Sequence, residues 1–227
     1  MKSERVTDID RGVGMRWYDD ACGTALAMEL VGERWSLLIV RELMFGPRRF
    51  SELKGGLNGI SANVLTQRLD GLARAGIIER RRLPSPANAQ VYDLTDWGRE
   101  SERSIQELGR WAVRSPRHDV TLPLSPASMM MSFRTMYAGG GSGVFGFRLG
   151  ADSFVARPGD TFAVERGDPV GADAVFVAAD APALAGYIYG GVALAALEAE
   201  GVLRVTGDRA AAERFRELFP LPPKLAA

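Results

Sequence analysis

Between positions 22 and 114, apolar residues recur mostly at helical intervals, interrupted by glycine and proline where helices should stop. Leu26, Met28, Leu30 and Val31 mark a short apolar helix that Gly32 ends. Trp35, Leu38, Ile39 and Leu43 continue at helical spacing until Gly46-Pro47 breaks the pattern. A third short helix over residues 50–57 stops in the Asn58-Gly59 turn. Ser61 is a good N-cap for a fourth helix, which runs to Ala75 before a C-cap at Gly76. Two strand-like runs, 77–83 and 90–94, flank a turn over residues 84–88. Thr95 then caps a last helix that carries Ile105, Leu108, Trp111 and Ala112 on one face.

Residues 115–126 contain three prolines and His118, which suits a linker. Beyond them Ala, Gly and Val dominate. Ser125-Pro126 starts a helix bearing Met130, Phe133 and Tyr137. Alternating segments follow at 144–149, 153–157, 161–166 and 174–178, with turn signals at 150–152 and 158–160. Two apolar helical stretches (181–189 and 192–199), a strand at 203–206 and a final helix over 208–219 complete an α+β second half.

At 227 residues the chain is comfortable for two domains, and 46% hydrophobic content is ordinary for a globular protein. One cysteine excludes an internal disulfide framework and a Cys-rich zinc site; one histidine leaves little room for a metal cluster or histidine-based catalysis. No cofactor and no metal are expected. No stretch approaches roughly 18 uncharged apolar residues, so no membrane partner is expected. The charged segment 1–16 lacks the apolar core of a secretory signal, and a soluble cytoplasmic protein is the expectation.

Net charge is zero, but it is unevenly spread. Residues 34–82 hold ten Lys/Arg against four acids, whereas from Thr121 onward nine basic residues face eleven acidic ones. A positive block in a neutral chain is what a phosphate-binding surface leaves in a sequence, and also what a solvated charged face leaves. On the fourth helix Leu65, Leu69 and Leu72 fall within a narrow arc, so Asn63, Thr66, Gln67, Asp70 and Arg74 face the other way. The N-terminal end of that outer face carries short polar groups able to donate and accept at base edges. A short helix, a turn, such a helix and a hairpin with Arg80-Arg81-Arg82 make winged helix-turn-helix organisation.

The ordered phrases Val31-Gly32-Glu33-Arg34-Trp35, Phe50-Ser51-Glu52-Leu53, Ile60-Ser61, Leu65-Thr66-Gln67-Arg68-Leu69, Gly76-Ile77-Ile78-Glu79-Arg80 and Val91-Tyr92-Asp93-Leu94-Thr95 carry a specific likeness. Over residues 22–112 the chain resembles the HxlR-type family of bacterial winged helix-turn-helix regulators. The resemblance implies double-stranded DNA as partner and a homodimer on a pseudo-palindromic operator, with the flanking helices at the dimer interface. It puts Ser61, Asn63, Thr66 and Gln67 at the groove-facing end of the recognition helix. Arg48 and Arg49, just before the supporting helix, suit phosphate contacts. Arg68 lies near the core-side edge, where an ion pair and a DNA contact are both open readings. In the wing, Arg81, Arg82, Asn88 and Gln90 are the candidate contacts. Cys22 stands where many family members carry a cysteine, which in some senses oxidants. Here Gly23 replaces the usual proline and Asp19 and Asp20 should disfavour a thiolate, so a structural role is favoured.

The phrase Gly201-Val202-Leu203-Arg204-Val205-Thr206-Gly207-Asp208, with Arg214-Phe215-Arg216-Glu217-Leu218-Phe219, is similar to the sterol carrier protein type 2-like fold over about residues 126–222. That resemblance implies a sheet and helices around an apolar cavity. Met129, Met130, Phe133, Phe145, Phe147, Phe162, Phe176, Tyr187 and Tyr189 are the candidate lining of a site for an apolar small-molecule effector. The same residues must in any case build a core. Gly141-Ser142-Gly143-Val144-Phe145-Gly146 is formally G-x-G-x-x-G, but a strand pattern follows it where a dinucleotide site needs a helix N-terminus. No nucleophile–base pair or Gly-x-Ser-x-Gly elbow points to an enzyme.

The expected chain is therefore α+β. A tail (1–20) leads into a winged helix-turn-helix domain (21–115), then a linker (116–125) and a sterol-carrier-like domain (126–227). The expected function is operator binding by a dimeric transcriptional regulator, not an enzyme, whose second domain binds an apolar effector or adds dimer interface. The competing reading is a lipid or small-molecule carrier whose winged helix serves protein association.

Overall fold

A computed structural model describes residues 18–225. Most of the tail expected over 1–20, the segment 1–16 read as no secretory signal, and residues 226–227 lie outside the described residues. No described helix is long and apolar enough to cross a membrane.

The first half runs α1 (Gly23–Val31), α2 (Ser36–Leu43), α3 (Phe50–Gly56), α4 (Ala62–Arg74), a hairpin of β1 (Ile78–Arg82) and β2 (Gln90–Leu94), then α5 (Asp96–Glu100) and α6 (Glu102–Ala112). The predicted apolar arc of α4 is buried: Leu65, Leu69 and Leu72 meet a core that includes Ile39, Val40 and Leu43 of α2 and Leu53 of α3. Ser61 caps α4 by accepting the Val64 N–H at 3.2 Å. Gly76 reverses the chain at φ +72°, a conformation open to glycine without strain. Thr95 locks the hairpin base to the next helix, because its hydroxyl donates to the Gly76 carbonyl (2.7 Å) and accepts the Gly98 N–H (3.0 Å).

Two expectations change here. Trp35 is not a helical residue but the left-handed N-cap of α2, at φ 83°. The helix expected from Thr95 divides at Ser101 into α5 and α6. Its expected single apolar face divides too: Ile105 is half-buried, whereas Leu108 and Trp111 are exposed. Ile105, Gly109 and Val113 lie along one stripe, and Gly109 approaches Thr135 closely, so α6 turns that stripe toward the second half.

The second half begins with α7 (Pro126–Met136), whose N-cap Ser125 accepts the Ser128 N–H at 3.0 Å. Strands β3 (Phe145–Leu149), β4 (Asp152–Pro158), β5 (Phe162–Arg166), β6 (Ala174–Ala178) and β7 (Leu203–Gly207) form one sheet in the order β5-β4-β3-β6-β7. All pairings are antiparallel except the central β3–β6 pair, which aligns Phe147 with Phe176. Helices α8 (Ala181–Ile188), α9 (Leu194–Ala199) and α10 (Arg209–Arg216) complete the half. Asp152, expected in a turn, opens β4 instead.

The two halves share one buried apolar cluster. Helix α7 packs on α2 and α6 in one direction and on β5 and α8 in the other. Phe45 meets Phe154 edge-on across the seam, with centroids 5.9 Å apart. Polar groups cross it as well. Glu42, only 2% exposed, accepts the Ser125 hydroxyl at 2.6 Å, and Arg134 of α7 pairs with Glu102 of α6 at 2.8 Å.

Candidate nucleic-acid interface

The outer face of α4 is polar where the helix begins. Ser61, Asn63, Thr66 and Gln67 are all exposed, while the leucines behind them hold the helix on the core. Asn63 and Gln67 make no side-chain hydrogen bond among the described residues, so both amides are free to pair outward. Thr66 donates its hydroxyl to the Ala62 carbonyl at 3.0 Å, which leaves its oxygen as an acceptor and its methyl as an apolar contact. Ser61 spends one lone pair on its cap and keeps its own O–H.

Arg68 leaves this face. It pairs with Glu33 at 2.9 Å and donates from Nε to the Arg34 carbonyl at 3.0 Å. Of its two open readings the structure presents the ion pair, which ties α4 to the turn between α1 and α2.

The wing arginines divide. Arg81 reaches back to Asp93, with Nε 3.0 Å from the carboxylate. That carboxylate is almost fully buried and is also held by Arg99 at 2.7 Å and the Leu94 N–H at 2.9 Å. Arg80 pairs with Asp70 of α4 and lies 5.5 Å over the Tyr92 ring. Arg82 is exposed, with no ion pair among the described residues. Arg80, Arg81, Arg82 and Gln90 line a concave surface on the hairpin. Asn88 sits at its tip with φ 37°, its N–H donated to the Pro84 carbonyl at 3.1 Å. The structure thus brings Gln90 and Arg82 together on an open surface and gives Arg81 a prior partner.

At the start of α3, Arg49 is exposed, and Glu52 accepts its backbone N–H at 2.7 Å. Arg48 does not join it. Its side chain turns into the seam and pairs with Asp152 at 2.8 Å, so the expectation that it meets phosphate is corrected. Its guanidinium is mostly buried and already neutralised from the second half.

Half of the positive block between 34 and 82 is therefore committed internally: Arg41 to Glu42, Arg48 to Asp152, Arg68 to Glu33, Arg80 to Asp70 and Arg81 to Asp93. Sequence reasoning missed Asp152 and Arg99. No local signal marks either one, since Arg48 and Asp152 stand 104 positions apart and Arg99 pairs across a strand-to-helix corner.

Cys22 is exposed at the N-cap of α1. The backbone N–H groups of Thr24 and Ala25 and the Thr24 side chain, at the start of α1, hold its thiol below the ordinary pKa. That direction runs against the one expected from Asp19 and Asp20.

In the second half, eight of the nine expected ligand-contact residues pack as solid interior. Met129, Met130, Phe133, Phe145, Phe147, Phe162, Phe176 and Tyr187 are all buried, and five of the phenylalanines surround Phe215. The expected pocket lining is a core, because α10 lays Phe215 into the space between helix α7 and the sheet. Tyr189 alone borders an open cleft, with Ile188, Arg216, Glu217, Phe219, Pro220 and Leu221. Its hydroxyl lies 2.8 Å from Ser132, and burial pushes its phenol above the ordinary pKa. The glycine-rich segment leads straight into β3, with the Val144 N–H donated to Asp173 at 2.7 Å.

Comparison with known proteins follows the first half. The family described as HxlR-like helix-turn-helix matches residues 30–119. The HTH-type transcriptional regulator YodB of Bacillus subtilis is 38% identical over 86 residues, covering 38% of this chain and 77% of that protein. An HTH-type transcriptional regulator of Mycobacterium bovis is 44% identical over 96 residues, 42% of this chain; the match spans 59% of that relative's length. Among solved structures, quinone-bound YodB from B. subtilis aligns with 34% identity and a TM-score of 0.36, covering 40% of this chain and 96% of that one.

Proposed function

Because this chain belongs to the HxlR-like helix-turn-helix family of transcriptional regulators, we propose that it binds a pseudo-palindromic operator as a homodimer. One observation carries the reading: at the N-terminal end of α4, Asn63 and Gln67 stand exposed and unpaired beside Ser61 and Thr66. An amide there can pair bidentately with adenine in the major groove, while Arg49 and the wing cation Arg82 hold phosphates on either side. Arg81 adds to the wing only after sharing its charge with Asp93.

A second copy is supported by apolar surface that the described residues leave uncovered. Helix α1 buries none of its residues, and Leu26, Met28, Leu108 and Trp111 on α1 and α6 are exposed. The sterol-carrier-like second half we read as a packed module joined to the DNA-binding half. An amphipathic effector fits its open cleft better than its interior, since Ile188, Phe219 and Leu221 offer apolar walls and Arg216 and Glu217 a charge of each sign.

The test is selection from a random duplex pool. The reading expects enrichment of an inverted repeat with half-sites about 34–36 Å apart, retained less as salt rises. Retention without any enriched sequence, or no retention at low salt, contradicts it.

A further inference from the structure

Arg48 occupies an unusual double position. Its backbone makes an isolated antiparallel bridge to the wing: its N–H donates to the Tyr92 carbonyl at 2.9 Å, and its carbonyl accepts the Tyr92 N–H at 2.8 Å. Tyr92 pairs in turn with Arg80 of β1, and the next residue, Arg49, is the N-cap of α3. The Arg48 side chain points the opposite way, into the seam between the halves. There both its terminal nitrogens face Asp152, at 2.8 and 3.5 Å, and Arg166 of β5 grips the same carboxylate. Arg166 stacks over Phe154 at 4.6 Å, and Phe154 meets Phe45 just before the wing-side loop.

We propose that Asp152, in the second half, is a positioning residue for DNA binding: by holding Arg48 it sets the wing base and the start of α3 relative to the recognition helix. The chemistry requires a full negative charge at this point. Arg48 and Asp152 are 13% and 18% exposed in their side chains, and Arg166 is 19% exposed. The Nε atoms of Arg48 and Arg166 are buried without a hydrogen-bond partner among the described residues, so neither guanidinium has a second close acceptor there. Without the Asp152 carboxylate Arg48 keeps only the looser Glu52 carboxylate, 3.9 Å from its Nε, and the two guanidiniums repel each other in a region of low solvent access. Arg166 is anchored on its ring and in β5. Arg48 is held there by its backbone bridge, and its side chain's departure strains the two hydrogen bonds to Tyr92. The second half thereby acts on the DNA surface without touching DNA.

This inference rests on the operator-binding reading, and its test separates the two. Wild type, Asp152→Asn, Asp152→Glu and the control Glu165→Gln are compared on the duplex that wild type selects. Glu165 pairs with Arg157 on the exposed side of the same sheet. Affinity is measured across a salt series with active protein titrated, and amide exchange is followed at Arg48 and Tyr92. The expectation for Asp152→Asn is about ten-fold weaker binding, with a salt slope shallower by about one phosphate contact, near 0.9 in log–log units. Exchange at the two amides should accelerate. Asp152→Glu should recover much of the slope, and Glu165→Gln should match wild type. Wild-type affinity, slope and exchange in Asp152→Asn would overturn the proposal. So would weaker binding with an unchanged slope, since no phosphate contact would then have been lost. Failure of wild type to select any duplex would instead remove the operator-binding reading on which the proposal stands.

Discussion

Replacing Phe133 by alanine asks whether the second half is a filled core or a lined cavity. Phe133 is fully buried on α7, and four rings close around it: Phe219 at 4.5 Å, Phe215 at 5.4 Å, Phe147 at 5.5 Å and Phe162 at 5.7 Å. Truncating a buried phenylalanine costs about 3–5 kcal/mol, as lost transfer energy plus a residual cavity. The upper part of that range is expected here. The surrounding rings come from two strands, α10 and the segment after it, so they cannot collapse together into the space. Aromatic pairs add about 0.5–1.5 kcal/mol each beyond their area. Equilibrium urea unfolding, followed by circular dichroism, should show a lowered midpoint with an unchanged slope. Because the buried cluster runs through the seam into α2, the shift should move the signals of both halves together. A cost below about 1 kcal/mol would mean that Phe133 already borders empty space, and the packed-core reasoning would fail.

Three further outcomes follow from particular contacts. Gly98→Ala places a Cβ 2.1 Å from the Ile77 carbonyl oxygen, so backbone must move; a loss of at least about 2 kcal/mol is expected, and a melting temperature within 2 °C of wild type would contradict it. Arg82→Ala should weaken specific and random DNA alike and flatten the salt slope by about one contact, whereas Arg81→Ala should mainly lower stability by leaving Asp93 with Arg99 as its one cationic partner beside the Leu94 N–H. Equal slopes for wild type and Arg82→Ala would remove the wing from the backbone. For Cys22, the depressed pKa means more thiolate at neutral pH, so iodoacetamide alkylation should titrate with a midpoint below the free-thiol value of about 8.5; a midpoint at or above it would refute the helix-terminal effect.

The helix-turn-helix elements were legible because their signals are local. The Ser61 cap, the leucine arc of α4 and the Gly76 reversal each lie within one turn of the structure they specify. The same holds for the wing, where strand runs flank a proline-rich turn. Other features depended on partners far away in sequence. Arg48 reads as a phosphate contact until Asp152 is seen beside it, and Asp152 reads as a turn residue because Gly150 precedes it. Trp35 looked helical by spacing, yet the Glu33-Arg34 turn held by Arg68 puts its backbone in the left-handed region. The apolar pattern of the second half could not separate a core from a pocket lining, since both need the same residues on the same faces. Only the placement of Phe215 by α10 decides between them.

The central claim is that the outer face of α4 reads base sequence. Gln67 projects from that face unpaired, and a bidentate amide contact to adenine is worth about 1–3 kcal/mol of discrimination. Parallel selections from one random pool with wild type, Gln67→Ala and Arg49→Ala measure this directly. Gln67→Ala is expected to lose preference at one position in each half-site, while Arg49→Ala keeps the wild-type consensus and binds all sequences more weakly. An identical consensus for wild type and Gln67→Ala would contradict it.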